Sequence, residues 1–248
     1  MQEEVNGINH SGDAEALQVA LTQEGCPICT IILEAMQRSM DSWQYEGFTD
    51  AENRQEVVRS RGFCPLHTWQ LAQLNIPFQL GIVYRDILAD ILTSFNHDQN
   101  AATGTCGSRT RSPLALWWGK WRRKTTAANV EEAHAQCPFC RIRANVEWRL
   151  ITTLLELLRS EEMQMLLRQS TGLCLLHFEQ TRTLAGETDP QLLRSLVQCQ
   201  QTCLQGVLGE VQELVRKHDY RFEAEPRGNE MTSWRRAAEL CAGNPGVR

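Results

Sequence analysis

No run of about 18 apolar residues, the length a helix needs to cross a bilayer, occurs in the chain. No membrane span is therefore expected. Positive charge is also in short supply. A formal net charge of −5 over 248 residues gives no general attraction to nucleic acid or acidic membranes, so any basic partner site has to be local. The polar, acidic opening from Met1 to Glu15 has no cationic start, apolar run or cleavage site and does not read as a signal peptide. Sustained period-two alternation is missing, which argues against a sheet. A recognisable catalytic constellation is missing too.

Cysteine is plentiful. Ten cysteines in a chain without an export signal point to a reducing compartment, and a cytoplasmic protein is expected. Clustered thiols there serve as metal ligands or redox groups more often than as disulfides. Their arrangement is a repeat. Cys26-Pro27-Ile28-Cys29 recurs as Cys137-Pro138-Phe139-Cys140, and Gly62-Phe63-Cys64-Pro65-Leu66-His67 recurs as Gly172-Leu173-Cys174-Leu175-Leu176-His177. The offset between copies is the same for both motifs to within a single position. The stretches from second to third cysteine, Cys29 to Cys64 and Cys140 to Cys174, therefore match in length almost perfectly. Two such composite motifs do not recur at matched spacing by chance, so the chain is a tandem duplication.

The rest carries helical periodicity. Apolar residues recur at three-and-four spacing through Ile31, Ile32, Leu33, Met36 and Met40, through Leu80 to Leu92, and through Leu150 to Leu158. Thr49-Asp50-Ala51-Glu52 fits a capping box. Asp189-Pro190 supplies an N-cap and a first-turn proline for a run to about Arg216. The expected fold is all-α: two tandem pseudo-repeats of helices, each organised around its own CxxC…CxxH metal site. The first repeat spans 1–96, a linker covers 97–127, and the second repeat spans 128–248.

The same signals aim the ligands. Pro27 and Pro138 open helices, which leaves Cys29 and Cys140 on first turns. Gly62 and Gly172 suit left-handed turns, after which Cys64 and His67, or Cys174 and His177, share a face of the next helix start. Cys26, Cys29, Cys64 and His67 then form one set, and Cys137, Cys140, Cys174 and His177 the other. Three thiols and one imidazole suit tetrahedral Zn²⁺, so two zinc sites are expected. An iron–sulfur cluster is the alternative that soft thiolates allow. A thioredoxin-like motif would need a βαβ setting. Four protein ligands leave a zinc ion no open position, so the sites read as structural rather than catalytic.

Cys199 and Cys203, four apart on a helix, read as small core positions rather than a redox pair. Cys106 and Cys241 have no partner in sequence, and His134 reads as a surface histidine. Between Arg109 and Lys124 six basic residues (Arg109, Arg111, Lys120, Arg122, Arg123 and Lys124) and no acidic ones surround Trp117, Trp118 and Trp121. That mixture suits a polyanion, nucleic-acid phosphates or an anionic membrane interface, but a solvated loop whose tryptophans dock on the core is the more frequent arrangement for such a stretch. The Lys217-His218-Asp219-Tyr220-Arg221-Phe222 stretch reads as a charge-satisfied helix terminus, with Trp234 as a packing anchor.

Together the CPxC and Gly-[Phe/Leu]-Cys-x-x-His pairs, the stretch at 217–222 and the Glu-x-x-Ser-Trp-x-Arg-Ala pattern from Glu230 to Ala237 resemble an uncharacterised bacterial family, a domain of unknown function. The resemblance spans roughly residues 12 to 243. It implies a soluble bacterial protein with duplicated Cys/His sites and supplies no activity or partner. The basic tryptophan linker is not part of the resemblance. The reading is therefore a non-enzymatic, metal-stabilised helical module that binds a protein or nucleic-acid partner. A thiol-based redox or metal sensor, or an iron–sulfur protein, is the alternative.

Overall fold

The computed structural model describes residues 10–103 and 137–247. Every regular element among them is helical, as the periodicity predicts. In chain order these are α1 (His10–Leu21), α2 (Pro27–Ser42), a π turn (Trp43–Gly47), α3 (Ala51–Arg59), α4 (Pro65–Gln73) and α5 (Pro77–Thr103). After Cys137 come α6 (Pro138–Leu157), α7 (Glu161–Gln169), α8 (Leu175–Thr188) and α9 (Pro190–Lys217). Two 3₁₀ turns (Tyr220–Phe222 and Asn229–Thr232) and α10 (Ser233–Ala242) complete the chain. The basic linker at 109–124, Cys106 and His134 lie outside the described residues.

The duplication is visible element by element, with α2 to α5 answered by α6 to α9. Proline opens α2, α4, α5, α6 and α9, where its missing N–H costs nothing and its fixed φ suits a first turn. Asp189 caps α9 as expected, its side chain accepting from Gln191 N at 2.8 Å. At α3 the cap falls one residue later than a Thr49 capping box would place it. Asp50 is extended and accepts from Asn53 N at 2.8 Å. Gly62 and Gly172 both take the left-handed conformation, with φ of 110° and 90°. At Gly172 space is also short, because a Cβ would sit 2.8 Å from Cys203 Cβ on α9.

The chain divides into two compact units that do not coincide with the repeats. Unit 1 joins residues 1–35 to 144–248, and the second unit is 36–143. Both boundaries fall inside helices, one in α2 and one in α6.

In unit 1, α9 packs against α7, α8 and α10, and α1 against α7. Leu17, Ile28, Leu150, Leu154, Leu167, Leu173 and Leu196 are buried there. Burying a side chain of this size contributes about 1.5–3 kcal/mol. Cys199 and Cys203 belong to this core, as expected. Their thiols donate to the carbonyls of Gln164 at 3.5 Å and Leu167 at 3.1 Å, and burial pushes the Cys203 thiol up to about 11.

The end of α9 is held by charge. Arg216 pairs with Glu213 and Glu225, and Lys217 donates to Glu230 at 2.9 Å and to the Pro226 carbonyl at 2.7 Å. This folds the chain back into α10. Trp234 is not the expected anchor. It is 54% exposed, and Ser233 and Leu240 are the α10 residues that are buried.

In unit 2, α3 packs against α5. Trp43, Phe48, Phe63 and Phe139 form an aromatic cluster with ring centroids 5.1 to 6.5 Å apart. Phe139 also lies 5.6 Å from the His67 ring. Edge and tilted contacts of this kind add about 0.5–1.5 kcal/mol per pair beyond the area buried.

Candidate metal centres

All eight predicted ligands converge, in two clusters of four, but the pairing is exchanged. Cluster 1 is Cys26, Cys29, Cys174 and His177, and cluster 2 is Cys64, His67, Cys137 and Cys140. Each joins the Cys-Pro-x-Cys pair of one repeat to the Cys-x-x-His pair of the other. The expectation that each repeat closes its own site is thereby corrected.

The reason lies in helix length. At 1.5 Å per residue, α2 carries the chain about 24 Å from its opening cysteines, and α6 about 30 Å. The helix that follows each of them has nine residues, about 14 Å at the same rise, shorter than the helix before it. A ligand pair from the other repeat fills the place instead.

Local geometry is the same in both clusters. Cys64 and Cys174 are N-cap residues with near-identical extended backbones, φ −64° and ψ 161° against φ −64° and ψ 156°. The following helix then sets the imidazole against the thiol. Cys64 Sγ is 3.0 Å from His67 Nδ1, and Cys174 Sγ is 3.2 Å from His177 Nδ1.

In cluster 1, Cys26 and Cys29 each stand 3.4 Å from His177 Nδ1, and Cys29 is 3.8 Å from Cys174. In cluster 2, Cys140 is 3.4 Å from His67 Nδ1 and 3.5 Å from Cys64, and Cys137 is 3.6 Å from the ring nitrogen. All four ligand atoms of a cluster lie within 4.8 Å of one another. A tetrahedral zinc with bonds of about 2.3 Å to sulfur and about 2.0–2.1 Å to nitrogen separates its ligand atoms by about 3.6–3.8 Å. The contacts in the two clusters, 3.0 to 3.8 Å, reach that separation at their upper end and are otherwise somewhat tighter.

Electrostatics sets what a bound metal would have to overcome. Without one, the thiols oppose each other. Contact with Cys26 and Cys29 lowers Cys174, whereas burial pushes Cys26 well up, reinforced by Cys174 and Cys29. In cluster 2, contact with Cys137 lowers Cys64, while Cys137 itself is pushed up to about 11 by Cys64 and by burial. Three adjacent thiols do not all ionise in a buried space unless a positive charge sits among them. A divalent metal supplies that charge and deprotonates its ligands outright.

The two centres differ in their surroundings. In cluster 1 every ligand is buried, and a cavity of about 290 Å³ beside it is lined by Cys29, Cys174 and His177 on one side and by residues from 238–247 on the other. A Cβ on Gly243 would stand 3.7 Å from the sulfurs of both Cys29 and Cys174, so the backbone there comes close to them. Glu147 Oε1 lies 3.1 Å from His177 Nε2 and is itself buried. Burial works to lower the His177 ring, but Cys174, Cys29 and Glu147 together raise it to about 11. In cluster 2, Cys140 is only partly buried.

Glu147 escaped the sequence reading. It lies on α6 two turns beyond Cys140, a ligand of the other cluster, so only the exchanged pairing brings it to a histidine. Metal-bound histidines characteristically give their second nitrogen to a carboxylate, and losing that partner costs about 10–100-fold in metal affinity. Glu147→Gln is expected to weaken metal binding at cluster 1 by that factor and leave cluster 2 unchanged. Competition against a chromophoric chelator reads the effect, and equal affinities in variant and wild type would remove Glu147 from the site.

Neither the curated proteins nor the solved structures contain a match to this chain. One family model does match, described as a family of unknown function (DUF6062), over residues 15–246. A duplicated helical chain with two Cys₃His clusters able to hold metal ions thus belongs to the DUF6062 family.

Proposed function

We propose that the protein is a non-enzymatic helical module stapled by two zinc ions, which acts in the cytoplasm by presenting its surface to a protein or nucleic-acid partner. The observation that carries this reading is the completeness of the two ligand sets. Three thiols and one imidazole satisfy a tetrahedral zinc, leaving no position for water or substrate. Ligand atoms within 4.8 Å of one another suit a single ion. The irons of a multinuclear cluster would hold their cysteines further apart, which disfavours the iron–sulfur alternative.

The exchange supports a structural role as well. Each ion ties segments that are distant in sequence, Cys29 to Cys174 and Cys64 to Cys137, so each closes a long loop. Unpaired thiols at such density also suit a reducing compartment. For the partner surface, Leu88, Leu92 and Phe95 of α5 recur at i, i+4, i+7 and are 57–60% exposed, which favours a protein. The basic residues Arg109 to Lys124 remain the proposed contact for a polyanion.

Elemental analysis of protein purified without added metal tests the reading. Two zinc atoms per colourless chain are expected. A brown, iron-containing protein, or one without metal, would overturn it.

A further inference from the structure

We propose that cluster 2 is a peroxide-responsive site, at which oxidation joins Cys140 to Cys64 and releases the metal, while cluster 1 keeps its own. The inference rests on the metal reading above and concerns the difference between the two centres.

Access is the first observation. Cys26, Cys29, Cys174 and His177 are at most 4% exposed, although a cavity also lined by residues 238–247 reaches Cys29, Cys174 and His177. In cluster 2 Cys64, His67 and Cys137 are equally buried, but Cys140 reaches the surface in part. A thiolate held by zinc at a surface position is the one a small oxidant meets first.

Geometry is the second. Cys140 Sγ stands 3.5 Å from Cys64 Sγ. A disulfide bond of about 2.05 Å needs the two sulfurs to approach by roughly 1.5 Å from there. The third observation is the hold on the histidine. The α6 residue Glu147 supports His177, whereas the residue that the duplication sets in its place on α2 is Met36, which has no carboxylate. Cluster 2 has no such support from the corresponding position.

The chemistry balances with hydrogen peroxide as oxidant. The Cys140 thiolate attacks one peroxide oxygen: an S–O bond forms, the O–O bond breaks, and the departing hydroxide takes a proton to become water. The Cys64 thiolate then attacks the Cys140 sulfur: the S–S bond forms, the S–O bond breaks, and the second hydroxide leaves as water after protonation. Two thiolates lose two electrons, and one peroxide is reduced to two waters. The metal leaves as the divalent ion, because two of its four ligands have gone.

The test uses the full-length, zinc-loaded chain with its metal content measured first. It is then exposed to hydrogen peroxide in the presence of a chromophoric zinc chelator. One zinc per chain is expected to appear at least about tenfold faster than the second. Peptide mapping should find a Cys64–Cys140 disulfide, and reductant plus zinc should restore the starting state. Cys174→Ser, which lacks cluster 1, should still release its single zinc at the wild-type fast rate. Protein without zinc before peroxide would overturn the metal reading. Zinc retained in full, both ions released together, or a disulfide among Cys26, Cys29 and Cys174 would overturn the present inference and leave that reading standing.

Discussion

Cys174→Ser is expected to remove one metal ion per chain and to destabilise unit 1 by several kcal/mol, the scale of losing a structural metal. Serine keeps the size of the side chain but offers zinc no thiolate. The remaining ligands are then left crowded and buried, with Cys26 4% and Cys29 1% exposed and no cation between them. The exchanged pairing makes the prediction specific. Once cluster 1 has lost its metal through Cys174, adding Cys26→Ser should cost little more, because both residues serve one site. Adding Cys64→Ser instead should cost nearly its full separate amount, because it serves the other. Double-mutant cycles by denaturant unfolding read this directly. Pairing within repeats would make Cys174 additive with Cys26 as well as with Cys64, so the Cys26 arm decides between the two.

Removal of both metals with a strong chelator is expected to cost most of the helical signal. Apparent binding energies of structural zinc are about 10–16 kcal/mol per site in small peptides, while whole domains are stable by about 5–15 kcal/mol. Once the metals are gone, burial keeps the Cys26 and Cys140 thiols neutral at neutral pH, and contact with Cys64 does the same for Cys137, pushed up to about 11, so no ionic contact replaces the lost metal. The pH dependence follows. A thiol of ordinary pKa about 8.5 is held ionised by zinc, so its folded value is depressed. Stabilisation of that sign is complete above the ordinary value and is lost as pH falls and protons displace the metal. Chelation should therefore go further at pH 6 than at pH 8. Far-UV circular dichroism follows both effects. An unchanged spectrum and unchanged melting temperature after complete metal removal would show that the clusters do not hold the fold.

Local structure was legible in the sequence because its signals are local. Proline at the first turn and the cap at Asp189 place their helices within a residue or so, and Gly62 and Gly172 place the turns before Cys64 and Cys174. The candidate ligands were legible for a different reason, since duplication singles out eight residues from the rest. Their partners were not. Four matched pairs can close two sites within repeats or across them, and the local signals are the same for both. What decides is how far α2 and α6 carry the chain from their opening cysteines, a property of whole helices. Glu147 was hidden for the same reason, because its contact with His177 exists only under the exchanged pairing. Trp234 was misjudged because its size suggested burial, whereas the turn at Asn229–Thr232 sets it at the surface and Leu240 inside.

The metal content of two double variants tests the central claim most directly. Cys26→Ser combined with Cys174→Ser disables cluster 1 alone, and one zinc per chain should remain. Cys26→Ser combined with Cys64→Ser strikes one ligand in each cluster, and no zinc should remain. If the repeats closed their own sites the two results would be exchanged, with zinc lost from the first variant and one ion kept by the second.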